Sequence, residues 1–127
     1  MTGRILFLAD DQALCVIIHF ALTRAGLEVD VSTNPTEAFR LLHAESPGYG
    51  VLVLDRDPRG FPVGELVARL RGRHPEVAVA VVAASFDVRA ARFDAWVERP
   101  YTPEKILEAV HTSVLSRERR QGRSTAS

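Results

Sequence analysis

Three carboxylates close two apolar runs in this chain of 127 residues. Asp10 and Asp11 end Ile5-Leu6-Phe7-Leu8-Ala9, and Asp55 ends Val51-Leu52-Val53-Leu54. Apolar runs that stop on acids read as buried parallel strands aimed at a site. Side by side, two such strands would gather three like charges at one sheet edge. That cluster needs a bound cation or raised carboxyl pKa values. A hard, oxygen-preferring ion such as Mg²⁺ suits carboxylates best. A nucleotide or flavin site would instead want glycines and backbone amides facing phosphate. Ala9-Asp10-Asp11-Gln12 offers acids, which repel phosphate unless a metal intervenes.

The elements that must position these acids alternate between strand and helix. Residues 4–9 read as a strand, and 13–25 as a helix stopped by Gly26. Leu27 to Val31 alternates like a half-buried strand. Asn34 as N-cap, Pro35 at the first helical position and Glu37 two residues on make a strong helix start. Ala38, Leu41 and Leu42 supply its buried stripe. Residues 51–54 form the third strand, and Leu66, Val67 and Leu70 give helical spacing across 63–72. Residues 77–84 form a fourth strand, and Trp96-Val97 sit in a short fifth. Thr102 and Pro103 open a last helix, with Ile106, Leu107, Val110 and Val114 at core spacing. Only about eleven residues, Ser85 to Ala95, join strands four and five, so the fourth helix is expected to be cut short. The pattern predicts an α/β, flavodoxin-like, doubly wound sheet of five parallel strands, a three-layer sandwich. In the order 2-1-3-4-5 the ligand crevice lies between strands 1 and 3, the two that end on acids.

Composition sets the outer bounds. The length suits one domain. Hydrophobic content of 46% and charged content of 25% are those of an ordinary globular protein. A formal net charge of zero gives no global field to recruit nucleic acid or membrane. Cys15 is the only cysteine, so no intrachain disulfide forms. No apolar stretch is long enough to span a bilayer, and the N-terminus lacks a signal peptide's regions. A cytoplasmic location is expected. Residues 1–116 form the domain. Residues 117–127, with Arg117, Arg119, Arg120 and Arg123, read as a frayed helix end followed by disorder or a linker.

These residues resemble a known family, the receiver domain of two-component response regulators, over about residues 4–116. The resemblance rests on Asp10-Asp11 after strand 1, Asp55 after strand 3, Glu65-Leu66 opening the third helix, and Arg99-Pro100-Tyr101 after strand 5. It implies that Asp55 is the phosphoacceptor, served by a histidine kinase, a phosphotransfer protein or a small phosphodonor. It also implies that Asp10 and Asp11 hold Mg²⁺ with Asp55 and the backbone carbonyl of Asp57. The metal would offset charge on the incoming phosphoryl group so that a carboxylate can attack it.

The chain departs from that family's pattern in its readout half. Ala83 stands at the end of strand 4, where a Ser or Thr hydroxyl usually grips the phosphoryl oxygen; Ser85 lies two residues on. Arg99 replaces the usual Lys before the cis-proline position, Pro100, and keeps the charge with a different geometry. Lys105, the only lysine, lies on the last helix. Trp96 takes the place of the switch aromatic. With the strand 4 hydroxyl gone, phosphorylation-driven switching is expected to be weak or unusual.

Plainer readings stand beside these. Asp10 and Asp11 could belong to a solvated loop, Asp57 to a turn before Pro58, Arg99 to a surface ion pair and Trp96 to ordinary packing. His19, His43, His74 and His111 show no ligand spacing and read as structural or exposed. Helix 1 is apolar nearly all round, through Cys15, Val16, Ile17, Ile18 and Phe20. Either the last helix covers Val16 and Phe20, or they form a partner or homodimer surface. Three functions compete: a phosphorylatable receiver signalling through a downstream protein, a degenerate receiver acting as a phosphorylation-independent binding module, and an enzyme. The enzyme reading rests on Asp55-Arg56-Asp57, which resembles the Asp-x-Asp signature of haloacid-dehalogenase-type phosphatases. That family starts its fold with this strand and needs a later lysine that this chain does not place correctly. No helix-turn-helix supports a nucleic-acid partner.

Overall fold

The two acid-ended runs are buried on both faces, which fixes them at the centre of a sheet. Ile5, Leu6, Phe7 and Leu8, and likewise Val51 to Leu54, have no exposed surface. The computed structural model describes residues 4–44, 48–55, 63–74, 76–83, 94–98 and 101–126. Their order is β1 (Arg4–Leu8), α1 (Gln12–Arg24), β2 (Val29–Ser32), α2 (Pro35–Ala44), β3 (Tyr49–Asp55), α3 (Val63–Arg73), β4 (Ala78–Ala83), β5 (Ala95–Glu98) and α4 (Pro103–Ala126). The strands make one parallel sheet in the order β2-β1-β3-β4-β5, as the alternating pattern predicts.

Alternation along each strand divides the apolar residues between two cores. Ile5, Phe7, Val51, Val53, Ala80 and Val82 pack with Cys15, Ile18 and Leu22 of α1 and Ile106 and Val110 of α4. Leu6, Leu8, Leu52, Leu54 and Val79 pack with Ala38 and Leu42 of α2 and Leu70 of α3. Each fully buried aliphatic or aromatic side chain contributes about 1.5–3 kcal/mol of transfer free energy.

The helix ends follow their local chemistry. The Asn34 side chain accepts from the backbone N–H of Thr36 at 2.8 Å and of Glu37 at 3.4 Å, starting α2. Thr102 Oγ1 accepts from Lys105 N at 3.3 Å, starting α4. Gly26 takes φ +89°, the left-handed region that ends α1 cleanly.

Some bounds differ from the sequence pattern. β3 begins at Tyr49, level with Arg4 of β1, and its hydroxyl donates to Asp30 of β2 at 2.7 Å. α4 runs on to Ala126, past residue 116 where the composition turns polar. Ser116 and Arg117 are still half-buried there, and the Arg117 guanidinium donates to the Glu76 carbonyl. The last helix does not cover the outer face of α1: Val16, Ile17 and Phe20 are 62%, 56% and 61% exposed. The expected short fourth helix, together with Asp57, Ser85, Arg99 and Pro100, lies outside the described residues.

A buried ion pair anchors the far edge of the sheet. Asp94 Oδ2 accepts from Arg71 Nη2 and from Val79 N, both at 2.8 Å, and Asp94 N donates to Val79 O at 2.7 Å. Arg71 Nη1 also donates to Val77 O at 2.9 Å. One carboxylate therefore ties α3, β4 and the start of β5 together. Asp94→Ala removes a buried carboxylate and this counter-charge of the half-buried Arg71, and is expected to cost about 3 kcal/mol. Urea denaturation reads this as a lower midpoint at unchanged slope; a loss under about 1 kcal/mol would contradict the anchoring role.

Candidate functional site at the carboxyl edge of the sheet

β1 and β3 are parallel neighbours with Leu8 level with Leu54. Asp55 is therefore the first residue of β3 beyond that pair, and Asp10 the second beyond Leu8. Adjacent strands lie about 4.8 Å apart, so both acids reach one edge. Strand order reverses between β1 and β3, and open sheets of this kind form their ligand crevice there.

The three acids sit in three different environments. Asp10 is exposed. Asp11 is the N-cap of α1, and its Oδ1 accepts from Leu14 N at 3.2 Å. Asp55 is buried, at 2% exposure. Burying a carboxylate is costly unless compensating groups face it. α1 contributes the positive end of its dipole at this edge. Its first turn contains no acid of its own.

Among the described residues, no three His, Cys, Asp or Glu side chains converge as a preformed metal cage. The donor chemistry nevertheless suits a hard cation. Mg²⁺ is commonly held by one or two carboxylates and keeps several waters. An exposed Asp10 beside a buried Asp55 matches that sparse protein ligation.

The register of β4 identifies a residue that the sequence pattern passes over. Asp55 pairs with Val82, which is fully buried in the same core as Val51 and Val53. Ala83 is one residue further and pairs with Glu98 of β5. The β4 residue level with the buried acid is thus Val82. Neither residue has a hydroxyl. The signal that could have found Val82 is strand parity counted back from Asp55, but it needs the pairing register, which the sequence does not state. Trp96 lies on the edge strand, half-buried and level with Val81.

A hydroxyl reaches Asp55 from another element. Tyr101, just before α4, places its OH 3.5 Å from Asp55 Oδ2, at the long limit of a hydrogen bond. Cys15 lies below the same edge, its Sγ 3.8 Å from Ala9 O and 3.9 Å from Ser32 O. Burial pushes the Cys15 thiol up from its ordinary pKa, and the negative charges of Asp11 and Asp55 add to the shift.

This geometry is the fold of receiver domains, and comparisons with known proteins lead to the same place. A receiver domain protein (CheY-like) from Methanospirillum hungatei superposes with a TM-score of 0.79 at 20% identity, over 93% of this chain and 98% of that one. A response regulator receiver domain protein from Clostridium thermocellum gives 0.77 at 19% identity, over 91% and 97%. Regulatory protein VanRB of Enterococcus faecalis is 29% identical over 135 residues, covering 98% of this chain and 60% of VanRB. The chain thus spans less than two thirds of that relative's length. No protein-family model matches. Sequence and structure together support a receiver domain of response regulators. Among the described residues, no helix is long and apolar enough to cross a membrane.

The raised thiol pKa has a direct readout. At pH 8 a free cysteine is partly thiolate and reacts readily. Folded Cys15 is expected to react with a disulfide reagent at least ~10-fold more slowly than the urea-unfolded chain, because the thiol stays protonated and buried. Equal rates would contradict this placement.

Proposed function

We propose that this chain is a receiver that accepts a phosphoryl group on Asp55, with Mg²⁺ at the acid edge, and signals through protein contacts. The supporting observation is the buried Asp55 carboxylate beside the strand end that carries Asp10, at the point where strand order reverses. An Asp55 oxygen attacks the phosphorus of a phosphohistidine on a kinase or phosphotransfer protein. The P–O bond forms as the P–N bond breaks, and the imidazole leaves as the proton it needs arrives from solvent. When bound, Mg²⁺ offsets charge on the phosphoryl oxygens. Asp10 and Asp55 would hold it directly or through water, with Asp11 and the Asp57 carbonyl as further ligands from the family resemblance. Arg99 would face the phosphoryl group, and Pro100 would set the turn behind it.

Tyr101 fits the role that β4 cannot fill. Its hydroxyl lies near the Asp55 oxygen that would carry phosphate. A small shift on phosphorylation would let it donate to a phosphoryl oxygen, replacing the missing hydroxyl at Val82 or Ala83. Trp96 would report the change. The domain signals rather than turns over a substrate, in the cytoplasm, without nucleic-acid or membrane contact. The outward face of α1 (Val16, Ile17 and Phe20) supports a homodimer as one of its contacts, and residues 117–127 would serve as the connecting segment. A second reading, a binding module independent of phosphorylation, is favoured by the apolar Val82 beside Asp55.

Trp96 fluorescence separates the two, because it is the only tryptophan. The receiver reading expects a saturable response to Mg²⁺ and a further change on beryllofluoride, a phosphoryl mimic, with both lost in Asp55→Asn. Tyr101→Phe is expected to weaken beryllofluoride binding by about tenfold, the worth of one hydrogen bond to a charged group. Ala83→Thr restores the hydroxyl that the family carries at the end of β4 and is expected to strengthen it. Silence to both additions would favour the binding module.

A further inference from the structure

A second cluster sits at the opposite end of the sheet from Asp55. His43 is the penultimate residue of α2, and His74 directly follows α3. Both helices return the chain to where β3 and β4 begin. His74 Nε2 and His43 Nδ1 are 3.1 Å apart, with ring centroids at 4.9 Å and planes tilted by 53°. Glu76 Oε1 lies 3.5 Å from the other nitrogen, His74 Nδ1. The backbone holds His74 firmly: its N–H donates to Leu70 O at 2.6 Å, and its carbonyl accepts from Val77 N at 3.1 Å. Phe39 stacks against His43, and the Arg69 guanidinium lies over Phe39, leaving the His–His edge open to solvent.

We propose that His43 and His74 form a binding site for a borderline first-row divalent ion such as Ni²⁺, Cu²⁺ or Zn²⁺, which clamps the ends of α2 and α3. Two imidazole nitrogens, each about 2.05 Å from one ion, stand about 2.9 Å apart at a right angle and about 3.3 Å apart at a tetrahedral one. The observed 3.1 Å falls between these values. An ion sits off the line joining the nitrogens, so each ring turns about χ2, a soft torsion. With both rings neutral, one N–H is shared between them. Glu76 favours the proton on His74 Nδ1, so Nε2 is the acceptor and His43 Nδ1 the donor. Binding moves the His43 proton from Nδ1 to Nε2, exposing a second lone pair with no net proton release. Glu76 then plays the part of the outer carboxylate that orients a metal-bound imidazole. Waters fill the remaining positions.

The test is calorimetric titration of the untagged full chain with NiCl₂, CuCl₂, ZnCl₂ and MnCl₂ in excess Mg²⁺, added to compete for the acid edge. One saturable site is expected, tightest for Cu²⁺ and weakest for Mn²⁺. His43→Gln and His74→Gln should each weaken Ni²⁺ binding at least tenfold, and Glu76→Gln about tenfold. Asp55→Asn and the pair His19→Gln with His111→Gln should leave it unchanged, so the outcome is independent of the phosphoacceptor reading. Absence of Ni²⁺ binding at millimolar concentration would overturn the proposal. So would binding that survives loss of both His43 and His74, or that depends on His19 and His111.

Discussion

The pairing of β1 with β3 is the constraint on which the rest of the molecule depends. Leu8 level with Leu54 sets the edge at which Asp10 and Asp55 meet. A slip of one residue would turn Asp55 into the opposite core and bring Leu54 to the face of α1 and α4. That slip is opposed by the apolar residues of both strands, which are fully buried on both sides. The position of the acids is therefore enforced by packing far from them. No interaction between the acids themselves needs to hold them there, and like charges could not.

How much was legible in the sequence follows from the range of each interaction. Caps and stops are local, so Asn34, Thr102 and Gly26 mark helix ends in the structure as they do in the sequence. Strands β1 and β3 were legible because unbroken apolar runs suit strands buried on both faces. Contacts set by pairing between distant segments were hidden. Val82 rather than Ala83 stands level with Asp55, and a shift of one residue in β4 leaves the composition of an Ala-Val run unchanged. Asp94 and Arg71, twenty-three residues apart, give no periodic signal of their union. The same holds for His43 and His74, thirty-one apart, whose meeting needs two helix ends to return to one edge. The outward apolar residues of α1 were visible, but their cover was not. The last helix packs beside α1 in the same layer, and so leaves the outer face open.

The acid edge combines a familiar front with an altered back. The groups that would receive a phosphoryl group are placed by β1, β3 and the start of α1. The groups that would sense it come from β4, β5 and the turn into α4. Tyr101 belongs to the second set yet touches the first. A hydroxyl brought from the turn before α4 links Asp55 to a long helix rather than to a strand. Any response would then be carried first by α4 and only later by the sheet edge that holds Trp96.

The division of the interior into two cores has a consequence for how the protein can change. The sheet is one residue thick, and neighbouring positions on a strand face opposite layers. Substitutions within one layer, such as Phe7 with Val53, fall in one packed core and should couple energetically. Substitutions in opposite layers, such as Phe7 with Leu52, meet only through the backbone and should add. The α1/α4 layer contains Asp55, while the α2/α3 layer contains the histidine pair. Each layer can therefore drift in sequence under its own selection, and one side of the domain can be re-tuned without disturbing the other.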